Sequence, residues 1–428
     1  MISFKDGILT IGKKASDEER NRMIRFIYEI CFYLGQVFYF RLSNMAMNYL
    51  GLIFLVSGAG VMIFSKLYHH RLNKSLLFVW YFIFIVFSKL SALWAYAPEI
   101  SALKYIKFFS VIIITCLGMV QYVDTLEDLN RLLTVHLCIS LTIMIVELIG
   151  TPTDQILGGY FGTTVSGNNS NTFGLLVMSS AVISFFKAYC KNQKAYYLLT
   201  AVFLFGSVIS SSRKATSLSL LGILMVVFFS FKKKHHILHL FVAAFTVAIL
   251  FWLIMTNDTL YSVVGYRFTT LFSFLNDDES VKYGSLQKRE FFVYYAKTLF
   301  EDSPFLGQGF ANFSELVYEK MNFIYRSYAH NNYWEILADL GVVGFVLYYW
   351  IYLYMLIKLA VSFFKKTFTE QKALAISLLI IELLLEVGVV AAWSIIEQVI
   401  VAFAFLCTMS DKFDNKKFYY SGSATRGG

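Results

Sequence analysis

The sequence predicts an all-α, polytopic integral membrane protein of about twelve spans, and three observations carry that prediction. Hydrophobic residues make up 57% of the 428, and aromatic residues alone 18%. Charged residues make up 15%, well below the roughly 25% usual in soluble domains. Apolar runs of about 20 residues recur, the length a helix needs to cross hydrocarbon with its backbone bonded internally. The formal charge of +9 does not point to nucleic acid, because the lysines and arginines sit in short loops between apolar runs, the pattern of orientation in a bilayer.

A polar segment, 1–22, comes first. One transmembrane domain covers 23–410, and a tail covers 411–428. The expected spans are 23–40, 45–65, 76–94, 103–121, 132–149, 170–188, 196–211, 215–231, 237–255, 334–360, 373–390 and 393–409. The first carries Glu29 and also fits an interfacial position. Lysines and arginines concentrate in alternate loops: Lys66, Arg71 and Lys74; Lys187, Lys191 and Lys194; Lys232 to Lys234; Lys365, Lys366 and Lys372. That bias places both termini in the cytoplasm. The loop 150–169, the break at 210–214 and the long segment 255–333 then fall together on the outer face. Within that segment, 288–300 has helical apolar spacing and reads as a helix on or dipping into the interface. Pro304 and Gly307-Gln308-Gly309 end it. The five cysteines lie in or beside apolar runs without a CxxC, so free, buried thiols are expected. No cleavable signal peptide is evident.

The stretch Tyr328-Ala329-His330-Asn331-Asn332-Tyr333-Trp334 closes the long polar segment and opens an apolar run. It sets a titratable imidazole, two amides and aromatic rings at the junction of water and hydrocarbon. His330 is a candidate proton acceptor; its plainer reading is a solvated loop residue. Glu335 and Asp339 lie on the following helix, where either would orient the imidazole. Arg213, among Ser210, Ser211, Ser212 and Thr216, suits a phosphate or pyrophosphate, because a guanidinium forks onto two oxygens; its alternative is a helix-end anchor. An Arg213-Lys214 pair on the outer side opposes the charge bias. Arg267 and Arg289 are candidates of the same kind, or solvated loop charges. The run 162–172, with Asn168 and Asn169, suits a helix cap or sugar hydroxyls. Glu147, Glu382, Glu386 and Glu397 fall inside spans, where ionisable groups are costly. Glu382 and Glu386 share a face that would line a cavity or pair with Lys89. Asn276-Asp277-Asp278-Glu279 fits no calcium loop and reads as a solvated turn.

Five places in order resemble the O-antigen ligase and polymerase superfamily of bacterial membrane glycosyltransferases, most nearly the Wzy-type polymerases. They are Gly162 to Asn171, Ser210-Ser211-Ser212-Arg213, Arg289, the run from Pro304 through Gly307 and Gly309 to Phe313, and His330-Asn331-Asn332 with Leu337, Gly341 and Gly344. After Arg213 the chain departs from the family pattern, with Lys-Ala-Thr-Ser where smaller apolar residues are usual. The resemblance implies a GT-C-like fold and a glycan donor and acceptor linked to undecaprenyl pyrophosphate. It implies transfer on the outer leaflet of the inner membrane with inversion, without metal, cofactor or nucleotide. Arg213, Arg289 and Arg267 would bind the pyrophosphate, and His330 would act on the acceptor hydroxyl. Asn168, Asn169, Ser212, Asn331, Asn332 and Tyr333 would meet the substrate, the apolar spans would hold the prenyl chain, and a chain-length regulator is a further partner. A ligase moving finished polymer to lipid A core or protein, and a lipid-linked sugar transporter or flippase, are the alternative functions. A transporter should keep its polar site near the midplane, usually with an internal repeat.

Overall fold

The computed structural model describes residues 2–5, 8–11, 17–40, 45–157, 161, 162, 170–210, 212–231, 235–258, 261, 265, 269, 285–320, 326–390 and 394–413. Arg267, Asn168, Asn169, Ser211 and the turn 276–279 lie outside them.

The described chain is almost entirely helical. A short hairpin, β1 (Ile2–Lys5) and β2 (Ile8–Ile11), precedes the helices, where the sequence suggested no strand. Then come α1 (Asp17–Tyr39), α2 (Met45–Tyr68), α3 (Leu76–Leu90), α4 (Pro98–Tyr122), α5 (Leu126–Gly150), the short α6 (Thr153–Leu157), α7 (Ser170–Tyr189), α8 (Ala195–Ile209), α9 (Arg213–Phe229) and α10 (His236–Thr256). After the long polar segment come α11 (Ser285–Asp302), α12 (Phe313–Lys320), α13 (Asn332–Phe364), α14 (Glu370–Glu386) and α15 (Ile395–Thr408). Each expected span is thus helical. Among the described residues, six helices are long and apolar enough to cross a membrane by length and composition: α2, α3, α5, α7, α10 and α13.

Helix starts follow local chemistry. Ser75 caps α3 through Leu77 N, Pro98 opens α4, and Thr125 with Asp128 forms a capping box on α5. The core is deepest around α7, α14 and α15, while α10 turns nearly all its residues outward. Ion pairs gather at one end of the bundle, where Lys66 and Arg25 meet Asp124, Lys191 meets Glu370 at 3.1 Å, and Lys372 meets Asp411 at 2.5 Å. The opposite end carries the start of α9, the start of α13 and the end of α14, joined by the contacts described below.

Above that opposite end lies a second, smaller core. Phe292, Tyr295, Ala296 and Leu299 of α11 pack with Phe313, Leu316 and Ala338. The apolar stripe of α11 thus packs on α12 and α13. All five thiols are free, but only Cys116, Cys190 and Cys407 are buried; Cys31 is half-buried and Cys138 faces outward.

Candidate active site

Three chain segments converge on the start of α13. The helix begins at Asn331, whose side-chain oxygen accepts the Trp334 N–H at 3.1 Å. His330 precedes this cap in the left-handed conformation, φ 57°, an unusual backbone for a residue with a Cβ. Glu335 holds the turn from below, its carboxylate accepting the Ala329 N–H at 2.6 Å. The side chain of Asn331 donates to Val387 O at 3.2 Å and that of Tyr333 to Leu383 O at 2.8 Å, tying the turn to the end of α14. The His330 ring lies between aromatic neighbours, with centroids 4.0 Å from Tyr328 and 5.9 Å from Phe292.

The second segment is the loop before α12, and it explains the glycines. At Gly341 (φ 64°, ψ −168°) α13 breaks. An unbroken helix would join Val342 N to Ala338 O and Val343 N to Asp339 O. All four groups are taken by the loop instead. Gln308 N donates to Ala338 O (2.9 Å) and Gly309 N to Asp339 O (2.8 Å), while Val342 N donates to Pro304 O (2.8 Å) and Val343 N to Phe305 O (3.2 Å). The backbones are so close that a Cβ on Gly341 would strike Phe305 and one on Gly307 would strike Asp339. Asn312 anchors the same loop to the turn before α4, donating to Ser101 Oγ at 2.6 Å and accepting from Ala97 N at 2.6 Å. Asp339 accepts Phe313 N at 2.8 Å. Glu335 thus holds the backbone next to His330, and Asp339 holds the backbone at the start of α12.

The third segment is the start of α9. Ser212 caps it, accepting Ala215 N at 3.4 Å and donating to Asn171 at 2.9 Å. Arg213 and Lys214 occupy its first turn, both half-buried. Lys214 Nζ donates to Gly388 O. Arg213, Arg289 and Glu397 all lie within electrostatic reach of Lys214, and Arg289 and Lys214 within reach of His330. Burial first, then the charges of Arg289 and Lys214, lowers the His330 pKa to about 4. Burial likewise raises that of Tyr328. The imidazole is thus neutral near pH 7 with a lone pair to offer, within reach of Arg289 and Lys214 and at the positive end of a helix, an arrangement that attracts phosphate.

Arg289 and Lys214 thus lie within reach of His330, Arg213 lies next to Lys214, and Asn331 and Tyr333 tie the His330 turn to α14. Ser212 and Asn332 are buried in the wall. Asn332 is fully buried and donates to Tyr349 OH at 2.9 Å, so it supports the helix where contact with substrate was expected. Tyr349 and Tyr352 in turn donate to Glu386 at 2.5 and 2.9 Å. Glu382 is fully buried with no hydrogen-bond partner among the described residues. Lys89 is exposed, whereas Glu382 and Glu386 are fully buried. The sequence reading left out Lys214 and Glu397 as site residues. Their signals were present: a lysine against the charge bias, and an acid in the first turn of α15.

Residues 198–349 match the family model described as O-antigen ligase. That range holds the Ser-Arg, Arg289, Pro304–Phe313 and His-Asn segments. No curated protein matches the chain.

Proposed function

We propose, the chain being a member of the O-antigen ligase and polymerase superfamily through residues 198–349, that it is a membrane glycosyltransferase of the lipid-linked polysaccharide type. In this reading it has about twelve spans in a GT-C-like arrangement in the bacterial inner membrane. It joins undecaprenyl-pyrophosphate-linked repeat units into O-antigen or capsular polysaccharide on the outer leaflet. The observation that carries the reading is a neutral His330 within reach of Arg289 and Lys214, with Arg213 next to Lys214 in the first turn of α9.

The chemistry follows from the charges. The acceptor hydroxyl attacks the anomeric carbon of the donor, and the bond to the pyrophosphate oxygen breaks with inversion. Negative charge grows on the departing pyrophosphate, where fixed cations and a helix start stabilise it without metal. His330 takes the hydroxyl proton. A base held near pKa 4 is weak, but its weakness comes in part from Arg289 and Lys214. A bound pyrophosphate offsets those charges and raises the basicity of His330, so the donor itself prepares the base. Arg267, Asn168 and Asn169 complete the proposed substrate contacts, and a chain-length regulator is a proposed partner.

The ligase reading is favoured by the description of the matched family, and one experiment separates the two. Purified protein is given a lipid-pyrophosphate repeat unit with and without lipid A core. Longer lipid-linked chains without the core support the polymerase, and transfer only to the core supports the ligase. His330→Ala and Arg213→Ala should each stop transfer in folded protein; full activity in both removes the proposed site. The transporter reading is less favoured because Arg213 and His330 stand at helix starts, the first turn of α9 and the residue before the α13 cap, rather than on broken helices at a midplane.

A further inference from the structure

The hairpin of α1 and α2 leaves a cleft of about 480 Å3 on its exposed side. Lys66, in the last turn of α2, pairs with Asp124, which places this cleft at the end of the bundle opposite the candidate active site. The body of the cleft is apolar, lined by Ile24 of α1 and by Gly60, Val61 and Phe64 of α2. Gly60 has open space where a Cβ would stand, and Phe64 is exposed. The mouth is polar. Arg20, in the first turn of α1, meets His69, the residue that follows α2, with 2.8 Å between a guanidinium nitrogen and Nε2. Arginine has no acceptor, so Nε2 accepts that bond and Nδ1 carries the hydrogen. Nδ1 donates it to Ser65 O at 2.9 Å. Both ring nitrogens are thus committed, and the imidazole holds the guanidinium over the last turn of α2. Tyr68 stands at the same mouth, its ring edge-on to His69 with centroids 5.1 Å apart.

We propose that this cleft binds an anionic phospholipid, with its phosphate at Arg20 and one acyl chain along Ile24, Val61 and Phe64. Length is the first argument. From His69 to Gly60, the lining residue farthest from the mouth, α2 runs roughly 14 Å at a rise of ~1.5 Å per residue. One leaflet supplies roughly 15 Å of hydrocarbon, half of a core of about 30 Å. An acyl chain whose phosphate is level with Arg20 therefore ends where the cleft ends. Charge is the second. Arg22, Arg71 and Lys74 are exposed at the same end, and basic side chains grouped there favour an anionic headgroup over a zwitterionic one. Position is the third. By length and composition α2 is a membrane span that closes at Tyr68, so the apolar body of the cleft meets hydrocarbon while Tyr68 takes the interfacial place usual for tyrosine. The site takes no part in glycan transfer and stands apart from the residues proposed to hold the pyrophosphate.

The test uses the full chain in detergent, with phosphatidylglycerol and phosphatidylcholine of the same acyl chains as probes and native mass spectrometry as the readout. Phosphatidylglycerol should stay bound where phosphatidylcholine is lost, and it should raise Tm. Glycerol 3-phosphate, which has the headgroup charge and no chain, should not. Arg20→Gln should cut retention roughly fivefold, the weight of one cation near a membrane surface, whereas Lys74→Gln, outside the cleft, should cost much less. Gly60→Trp fills the cleft with the charges unchanged and should abolish both the selective retention and the Tm gain. Val61→Trp gives the same reading if Gly60→Trp does not fold. Equal retention of the two lipids overturns the proposal, as do equal losses in Arg20→Gln and Lys74→Gln, which would mean diffuse attraction. A Tm gain from glycerol 3-phosphate would make it a phosphate site without a lipid chain. A dimer that dissociates in Gly60→Trp would show a second copy of the chain in the cleft, and overturns it too. Retention is read without glycan transfer, so the lipid site and the proposed enzyme activity stand or fall separately.

Discussion

Glu335 accepts the backbone N–H of Ala329 at 2.6 Å, so the helix that follows His330 grips the residue that precedes it. That contact makes Glu335 a proposed positioning residue, acting on the imidazole through the chain. A hydrogen bond to a charged group is worth about 1.5–3 kcal/mol. Glu335→Ala should therefore lower kcat roughly 10–100-fold, with KM for the donor little changed. Glu335→Gln keeps an acceptor oxygen and should recover most of the rate. Equal losses in both variants, tracking a common fall in Tm, would make the contact merely structural.

Arg213 stands at the first turn of α9 with Lys214 beside it. If the guanidinium forks onto two pyrophosphate oxygens, lysine cannot replace it, since an ammonium is a point charge. Arg213→Lys should cost roughly 10–100-fold in kcat/KM, as the loss of one charge-assisted hydrogen bond implies. Arg213→Gln should cost more. Steady-state kinetics over a range of salt would check this, and a fully active lysine variant would show that charge alone is read there.

Most of the architecture was legible because apolar runs of span length, bounded by caps and charged loops, leave few alternatives to helix. The expected start at 45 is the start of α2, and the expected start at 170 is the start of α7. What stayed hidden is rotation about each helix axis. Membrane helices are apolar on most sides, so periodicity says little about which face is buried. Ser212 and Asn332 thus looked available to substrate yet sit inside the wall. Lys214 stood out only as half of a pair against the charge bias, yet it reaches Gly388. The packing of α11 on α12 and the first turns of α13 was hidden because amphipathic spacing names no partner. The Gly341 break was visible as a motif, but its four diverted hydrogen bonds appear only when the loop is placed against it.

Those bonds predict how the motif fails. Gly341 has a left-handed φ, and its missing Cβ leaves room for the backbone of Phe305. A non-glycine residue in a strained region of this kind costs about 1–3 kcal/mol, and the clash adds to it. Gly341→Ala should lower Tm by several degrees and abolish transfer, because the loop that spans α13 and the turn before α4 loses its seat. Gly60→Ala is the control: α2 has open space at that position, and alanine suits a helix better than glycine. A Tm unchanged in Gly341→Ala would refute the clamp.

The last prediction concerns acid. His330 is held at about 4 by burial and by Arg289 and Lys214, against about 6.5 in an unfolded chain. Between those values the unfolded state binds a proton that the folded state refuses, so His330 makes stability fall as pH drops through that window and contributes no slope above it. His330→Gln should remove this slope in denaturant titrations at pH 4 to 7. In kinetics, kcat/KM reports the free enzyme and should lose activity only near pH 4, whereas kcat reports the donor complex, whose pyrophosphate offsets the cations. The acid limb of kcat should therefore lie at higher pH than that of kcat/KM. Arg289→Gln removes one of the depressing charges and should move the kcat/KM limb upward. Coincident limbs in the wild type, unmoved in Arg289→Gln, would mean that the donor does not tune His330.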